Sequence, residues 1–236
     1  MALYNLSEQL LQDIGKQIIN GDLKPGTVLP KVETLSKNRG VSRTVVREAL
    51  KGLVARRLVM SSTKVGTIVR ERSEWLWMDP NVLLWASESN NQKLFYMQLL
   101  ELRLAIEPAG VHLAAQNATE KDKEEIRFRY NQLESSFDNV LEWPNADYEF
   151  HNSILLAAHN ELMLSLVKNL REVLIKGRQI NRNVNKSLSD DEERYKGLLL
   201  HKAVMEAICA GDGQLAQEKM REQLLRLVEI VKAYPS

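Results

Sequence analysis

The chain has 236 residues, a single cysteine and a formal net charge of +1. One thiol rules out an internal disulfide framework and predicts a reducing, cytoplasmic setting for Cys209 as a small buried hydrophobe. The sequence has no secretory-type leader and no apolar run of about 18 residues, so no membrane partner is expected. Hydrophobic residues make up 44% and aromatics only 6%, a balance that favours helices over a β-sandwich. The near-zero charge hides an asymmetry. Residues 1–72 hold 13 basic and 6 acidic side chains (+7), and the remainder 19 and 25 (−6). A basic head on an acidic body predicts a polyanion partner for the head alone.

Leu6, Leu10, Ile14 and Ile18 recur every four residues and predict an amphipathic helix that stops near Gly21. Lys24-Pro25-Gly26 marks a turn. A second helix is expected over Val32–Asn38, ending at Gly40. Ser42 stands where an N-cap is wanted for a third helix over Arg43–Arg57. That helix has Val46, Ala49, Leu50 and Leu53 on one face and Arg43, Arg47 and Lys51 on the other. Two short β-type runs, Leu58–Met60 and Thr67–Val69, flank Gly66 and predict a hairpin. Residues 70–80 form a linker with Trp75, Trp77 and Asp79-Pro80. Helices are then expected near 81–88, 92–117, 120–141, 145–158, 160–181, 190–210 and 212–232. The fold class is therefore mainly α. It divides into a DNA-binding domain (1–72), a linker and docking helix (73–91) and an all-helical bundle (92–236).

Helix, helix, turn, helix and hairpin is the winged helix-turn-helix order, in which the third helix enters the major groove of double-stranded operator DNA. Arg43 and Arg47 project one turn apart and can reach base edges or phosphates. Ser42 and Thr44 at the helix N-terminus suit phosphate contacts. Lys64 and Gly66 occupy the hairpin tip, where the wing meets backbone or minor groove. A solvated basic face is the plainer alternative for the same charges.

The stretch Ile19–Val69 resembles the GntR-type regulators. Ile19, Gly21, Pro25, Gly26, Leu29 and Pro30 match, followed by the run Gly40–Leu50 and by Gly66, Thr67 and Val69. The resemblance maps DNA-reading positions onto Ser42, Arg43, Arg47 and Gly66. Where relatives commonly carry Ser-Glu-Arg or Ser-Glu-Glu after Leu-Pro, this chain has Lys31, Val32 and Glu33. Glu33 would not face a phosphate directly, and Lys31 is the candidate replacement.

In the C-terminal half, Asp147 and His151 share one helical face by their four-residue spacing, with His201 and Gln223 on later helices. Such a set can hold a divalent metal. From spacing alone, an ordinary Asp147–His151 pair with an unrelated His201 is the favoured reading. Residues 92–230 resemble the helical effector (FCD-type) domain of the FadR-like branch of the family. The matches are Glu101, Arg103 and Glu107, then Asp147 and His151, then His201 through Asp212, and Met220 through Leu224. The resemblance implies a metal (zinc, nickel or manganese) held by Asp147, His151 and His201. Gln223 stands where a third histidine is usual, and an amide is a weak ligand for transition metals. Arg103 is implied in binding a carboxylate effector, with an i,i+4 pair to Glu107 as the alternative. The effector set is thus Arg103, Asp147, His151, His201 and Gln223.

The family resemblance further implies a homodimer that senses a small organic acid. Residues Asp79–Trp85 are similar to those of repressors of aldonate or hexuronate catabolism, with lactate- or pyruvate-type acids as alternatives. A metal-dependent enzyme built on the acid–histidine set is the rival from another class, but no general acid or base accompanies it. His112 is expected at the surface or partly buried, and His159 at a helix end.

Overall fold

The computed structural model describes residues 2–187 and 191–233, in two units, Met1–Gln92 and Lys93–Ser236. In the first, α1 (Ala2–Asn20) buries Leu10, Leu11, Ile14, Ile18 and Ile19. Its predicted apolar stripe starts one turn late, because Leu6 is 42% exposed. Gly21, at φ +83°, and Gly26, at φ +82°, turn the chain in the left-handed region that glycine enters without strain.

α2 (Val32–Arg39) ends on Gly40, also left-handed, whose N–H donates to the Ser36 carbonyl. The Ser42 Oγ accepts from the Val45 N–H at 3.3 Å and opens α3 (Arg43–Ala55). α3 buries Val45, Val46, Ala49 and Leu53; Leu50 is only partly covered. β1 (Val59–Ser62) and β2 (Gly66–Val69) pair antiparallel from Val59↔Val69 to Ser62↔Gly66, and Val28 bridges to Ile68.

The predicted linker is packed. Trp75 donates its indole N–H to the Arg70 carbonyl at 2.9 Å, and Arg72 stacks 4.6 Å from the Trp77 ring centre. Asp79 caps α4 (Pro80–Ser87) by accepting from the Asn81 and Val82 N–H groups. The same carboxylate accepts from Arg56 Nε at 3.1 Å, tying the end of α3 to the start of α4. Trp85 lies flat on α1 at Gly15, where a Cβ would fall 2.4 Å from the indole. Burial of that ring contributes on the order of 5 kcal/mol at most.

All the regular structure among the second unit's described residues is helix: α5 (Gln92–Asn117), α6 (Glu120–Ser135), α7 (Trp143–Ala157), α8 (Glu161–Asn169), α9 (Arg171–Ser187), α10 (Asp191–Ala210) and α11 (Gly213–Ala233). Its core gathers Val111, Ile126, Leu133, Phe150, Ile154, Ile208, Met220 and Leu224. Thr119 and Asp122 form a reciprocal capping box at the start of α6. His159, at φ +52°, terminates α7, and Asn160 caps α8.

Two predicted helices need correction. The helix expected over 120–141 stops at Ser135. The Ser136 hydroxyl bonds back to the Leu133 carbonyl at 2.8 Å and Asn139 Oδ1 accepts from Leu141 and Glu142, local bonds that compete with the helix. The single helix expected over 160–181 is two, α8 and α9. At Leu170 the backbone tightens, its N–H reaching Val167 three residues back, and Leu170, Val173 and Leu174 all turn into the core. Residue 190, the expected start of the next helix, lies outside the described residues.

Candidate functional site

On the first unit, Lys31, Ser42, Arg43, Thr44 and Arg47 are all exposed, as are Lys64 and Gly66 at the hairpin tip. The N-cap at Ser42 fixes the start of α3 and so the outward direction of Arg43 and Arg47. Lys51, one turn further on, pairs with Glu48 at 2.8 Å. Glu33 has a partner that the sequence did not reveal: its carboxylate lies 3.6 Å from the Arg43 guanidinium, both groups more than half exposed. It therefore faces the first arginine of α3, from α2.

The second unit brings Arg103, Asp147, His151, His201 and Gln223 together from α5, α7, α10 and α11, each between 4% and 6% exposed. The ligand atoms of Asp147, His151 and His201 lie within 4.8 Å of one another. His201 Nδ1 is 2.7 Å from the Gly197 carbonyl, which can only accept, so Nδ1 carries the proton. Burial and the neighbouring His151 lower the His201 pKa well below the ordinary value, which keeps the ring neutral and leaves a lone pair on Nε2. That lone pair faces Asp147 Oδ1 at 2.8 Å and the Gln223 amide nitrogen at 2.6 Å. On the other side, His151 Nδ1 is 3.2 Å from Glu107, and its Nε2 is 3.3 Å from the same Gln223 nitrogen.

The His201 imidazole is thus oriented through Nδ1 by a carbonyl, while His151 Nδ1 lies beside the Glu107 carboxylate without a hydrogen bond among the described residues, and both rings present Nε2 inward, as metal-binding histidines do. An acceptor oxygen facing an imidazole lone pair at 2.8 Å is unfavourable unless a cation lies between them. Gln223 Oε1 is also buried with no hydrogen-bond partner among the described residues. These residues fit a divalent ion.

Cations of the protein itself complete the site. Arg103 Nε donates to Glu107 at 2.6 Å, so the i,i+4 pair is real, and Arg103 also lines the cavity next to Asp147. Against the burial that would raise it, Arg103 and His151 hold the Glu107 carboxyl far below the usual carboxylate range. Arg178 from α9 pairs with Asp147 through Nε, leaving Oδ1 as the oxygen turned to His201. Burial pulls the Arg178 pKa down to about 9, still protonated at neutral pH. Its Nη1 is buried and has no hydrogen-bond partner among the described residues, a donor available to an anion.

Sequence reasoning missed Arg178 altogether. The signal was there: Arg178 follows Leu174 by four residues and Ile175 by three, on the apolar stripe of its helix, and an arginine on a buried stripe demands a partner. Glu107 was noticed only as a partner of Arg103, and its contact with His151 arises from packing of α5 on α7. His112 is partly buried, close to Gln116 and the α11 start.

A winged helix with exposed arginines, joined to a helical unit with a polar buried cavity, defines a ligand-responsive DNA-binding regulator. Residues 6–69 match the model for bacterial regulatory proteins of the gntR family, and residues 98–226 match the FCD domain. The chain belongs to the GntR family of bacterial regulatory proteins, in the form that carries an FCD domain. It is 28% identical over 214 residues to the galactonate operon transcriptional repressor of Escherichia coli (strain K12), covering 91% of each chain. It is 30% identical over 220 residues to the HTH-type transcriptional regulator LutR of Bacillus subtilis (strain 168), covering 92% of this chain and 97% of that one. Among solved structures, Lar, which controls expression of the Listeria monocytogenes agr system, shares the fold with a TM-score of 0.64 at 21% identity, over 97% of each chain. The protein is accordingly a transcription regulator and not an enzyme. No described helix is long and apolar enough to cross a membrane.

Proposed function

We propose that this regulator is a cytoplasmic homodimeric repressor of sugar-acid catabolism genes, released from its operator by a small hydroxy acid bound in the helical unit. The observation that carries the acid-binding part is the buried Arg178, with a donor nitrogen unpartnered among the described residues, beside converging Asp147, His151 and His201. The sugar-acid class is supported by the likeness to the galactonate operon repressor. Two copies bound to a palindrome would set two α3 helices in successive major-groove faces. In each copy Arg43, Arg47 and Thr44 take bases and phosphates, Ser42 fixes the helix start, and Lys31, Lys64 and Gly66 take backbone.

In the helical unit, Asp147 Oδ1, His151 Nε2 and His201 Nε2 would hold a divalent ion, with Gln223 beside them. When bound, such an ion supplies open coordination positions for a carboxylate. Arg178 and Arg103 orient the acid by charge-assisted hydrogen bonds, and the surrounding burial excludes water from it. Acid binding then shifts the population between conformers of different operator affinity.

The test is a thermal-shift screen of aldonates, aldarates, hexuronates and short hydroxy acids, with added zinc, nickel or manganese and with chelator. It is followed by operator titration with the stabilising acid. A stabilising acid that weakens operator binding is the expected result, since a ligand of the folded state alone raises its stability. No stabilisation by any acid would overturn the proposal. Stabilisation that survives the chelator would remove the metal from it.

A further inference from the structure

The first arginine of α3 has a carboxylate beside it, and the two are held loosely. Glu33, in the first turn of α2, lies 3.6 Å from the Arg43 guanidinium, and both side chains are more than half exposed. At that separation the pair is bound by charge attraction without a hydrogen bond. The acid on α3 itself is held differently, since Glu48 accepts from Lys51 Nζ at 2.8 Å. Among the described residues neither Arg43 nor Glu33 makes a side-chain hydrogen bond, so Arg43 keeps its fork of donors and Glu33 its acceptor sites. An exposed ion pair of this kind contributes little to the fold, and both groups can be turned over to a ligand at small cost.

With α3 in a major groove, most of what DNA offers would repel a carboxylate: phosphate oxygens, guanine O6 and N7, and thymine O4. Two donors remain, the amines of adenine N6 and cytosine N4. Adenine sets its N7 acceptor next to the amine, whereas cytosine shows the donor alone. A carboxylate therefore selects cytosine, as an arginine selects guanine O6 and N7. In a G·C pair, guanine O6 and cytosine N4 are hydrogen-bonded to each other and so lie about 3 Å apart. The Glu33 carboxylate and the Arg43 guanidinium are separated by a similar 3.6 Å. In charge and in spacing, the two side chains complement the major-groove edge of one G·C pair.

We infer that Glu33 is a specificity-determining residue: Arg43 takes the guanine of one G·C pair in each half-site and Glu33 accepts from the N4 amine of its cytosine. This rests on the reading of α3 as the recognition helix and extends the reading surface to α2.

The experiment starts with selection by the full chain from a library of random duplexes, and by Arg43→Ala, which marks the pair that Arg43 reads. Fluorescence anisotropy at fixed salt then measures the parent and Glu33→Ala on the selected duplex and on the same duplex with N4-methylcytosine in that pair, where the methyl group occupies the place of the exposed amine hydrogen. The methyl group should weaken the parent by about tenfold, the yield of one charge-assisted hydrogen bond, and should leave Glu33→Ala nearly unchanged. Glu33→Ala should also relax selection at that pair alone. The substituted side chain is largely exposed, so the fold should persist, which circular dichroism verifies. A parent indifferent to the methyl group, a penalty of equal size in Glu33→Ala, or a change in Glu33→Ala that is uniform across sequences, as mere repulsion of phosphate would give, would overturn the inference while leaving the recognition helix standing. Selection and affinity unchanged in both Arg43→Ala and Arg47→Ala would overturn the recognition helix and this inference with it.

Discussion

Asp147→Asn keeps the shape of a side chain that sits among Arg178, His201 and His151 but removes its charge. With all groups ionised, Arg103 and Arg178 balance Glu107 and Asp147; the amide leaves a net buried cation. Breaking one partner of a buried ion pair typically costs about 3–5 kcal/mol. For a protein of this size that corresponds to a fall in melting temperature of roughly 6–20 °C. The amide oxygen can still accept from Arg178, so the lower end of the range is expected. Thermal unfolding followed by circular dichroism measures it, with chemical denaturation as a check. The decisive comparison is the double variant Asp147→Leu with Arg178→Met. Replacing both charges by apolar groups should recover at least half of the loss, because the cost lies in the orphaned guanidinium. A single variant within about 0.5 kcal/mol of the parent, or a double variant as unstable as the sum of its parts, would refute the charge-balance argument.

Gly15→Ala places a Cβ 2.4 Å from the Trp85 ring. It should destabilise by about 1–3 kcal/mol through overpacking, and indole fluorescence should report the displaced ring; an unchanged melting curve would count against α4 docking on α1. Arg47→Ala should weaken specific operator binding by about 1–3 kcal/mol without unfolding the protein. Glu33→Gln, which frees the Arg43 guanidinium 3.6 Å away, should strengthen binding to random DNA more than to operator. Fluorescence anisotropy at two salt concentrations checks both, and unchanged affinities would remove these side chains from the interface.

Much of this protein was legible in its sequence. The periodicity of Leu10, Ile14 and Ile18, the cap at Ser42, the glycines at 21, 26 and 40 and the β runs around Gly66 prescribe a winged helix. They act within a few residues of one another, where backbone preference and capping are decided locally. The Asp147–His151 pair is local in the same way, since four residues make one helical turn. His201 and Gln223 could be proposed only through family likeness.

What the tertiary structure alone decided is how those groups are used. The direction of the His201 imidazole depends on Gly197, which no spacing marks. Arg178 reaches Asp147 across 31 residues. Burial determines the rest. Low dielectric makes His201 neutral and an unbalanced guanidinium costly, and burial is a property of packed helices that no stretch of sequence possesses by itself.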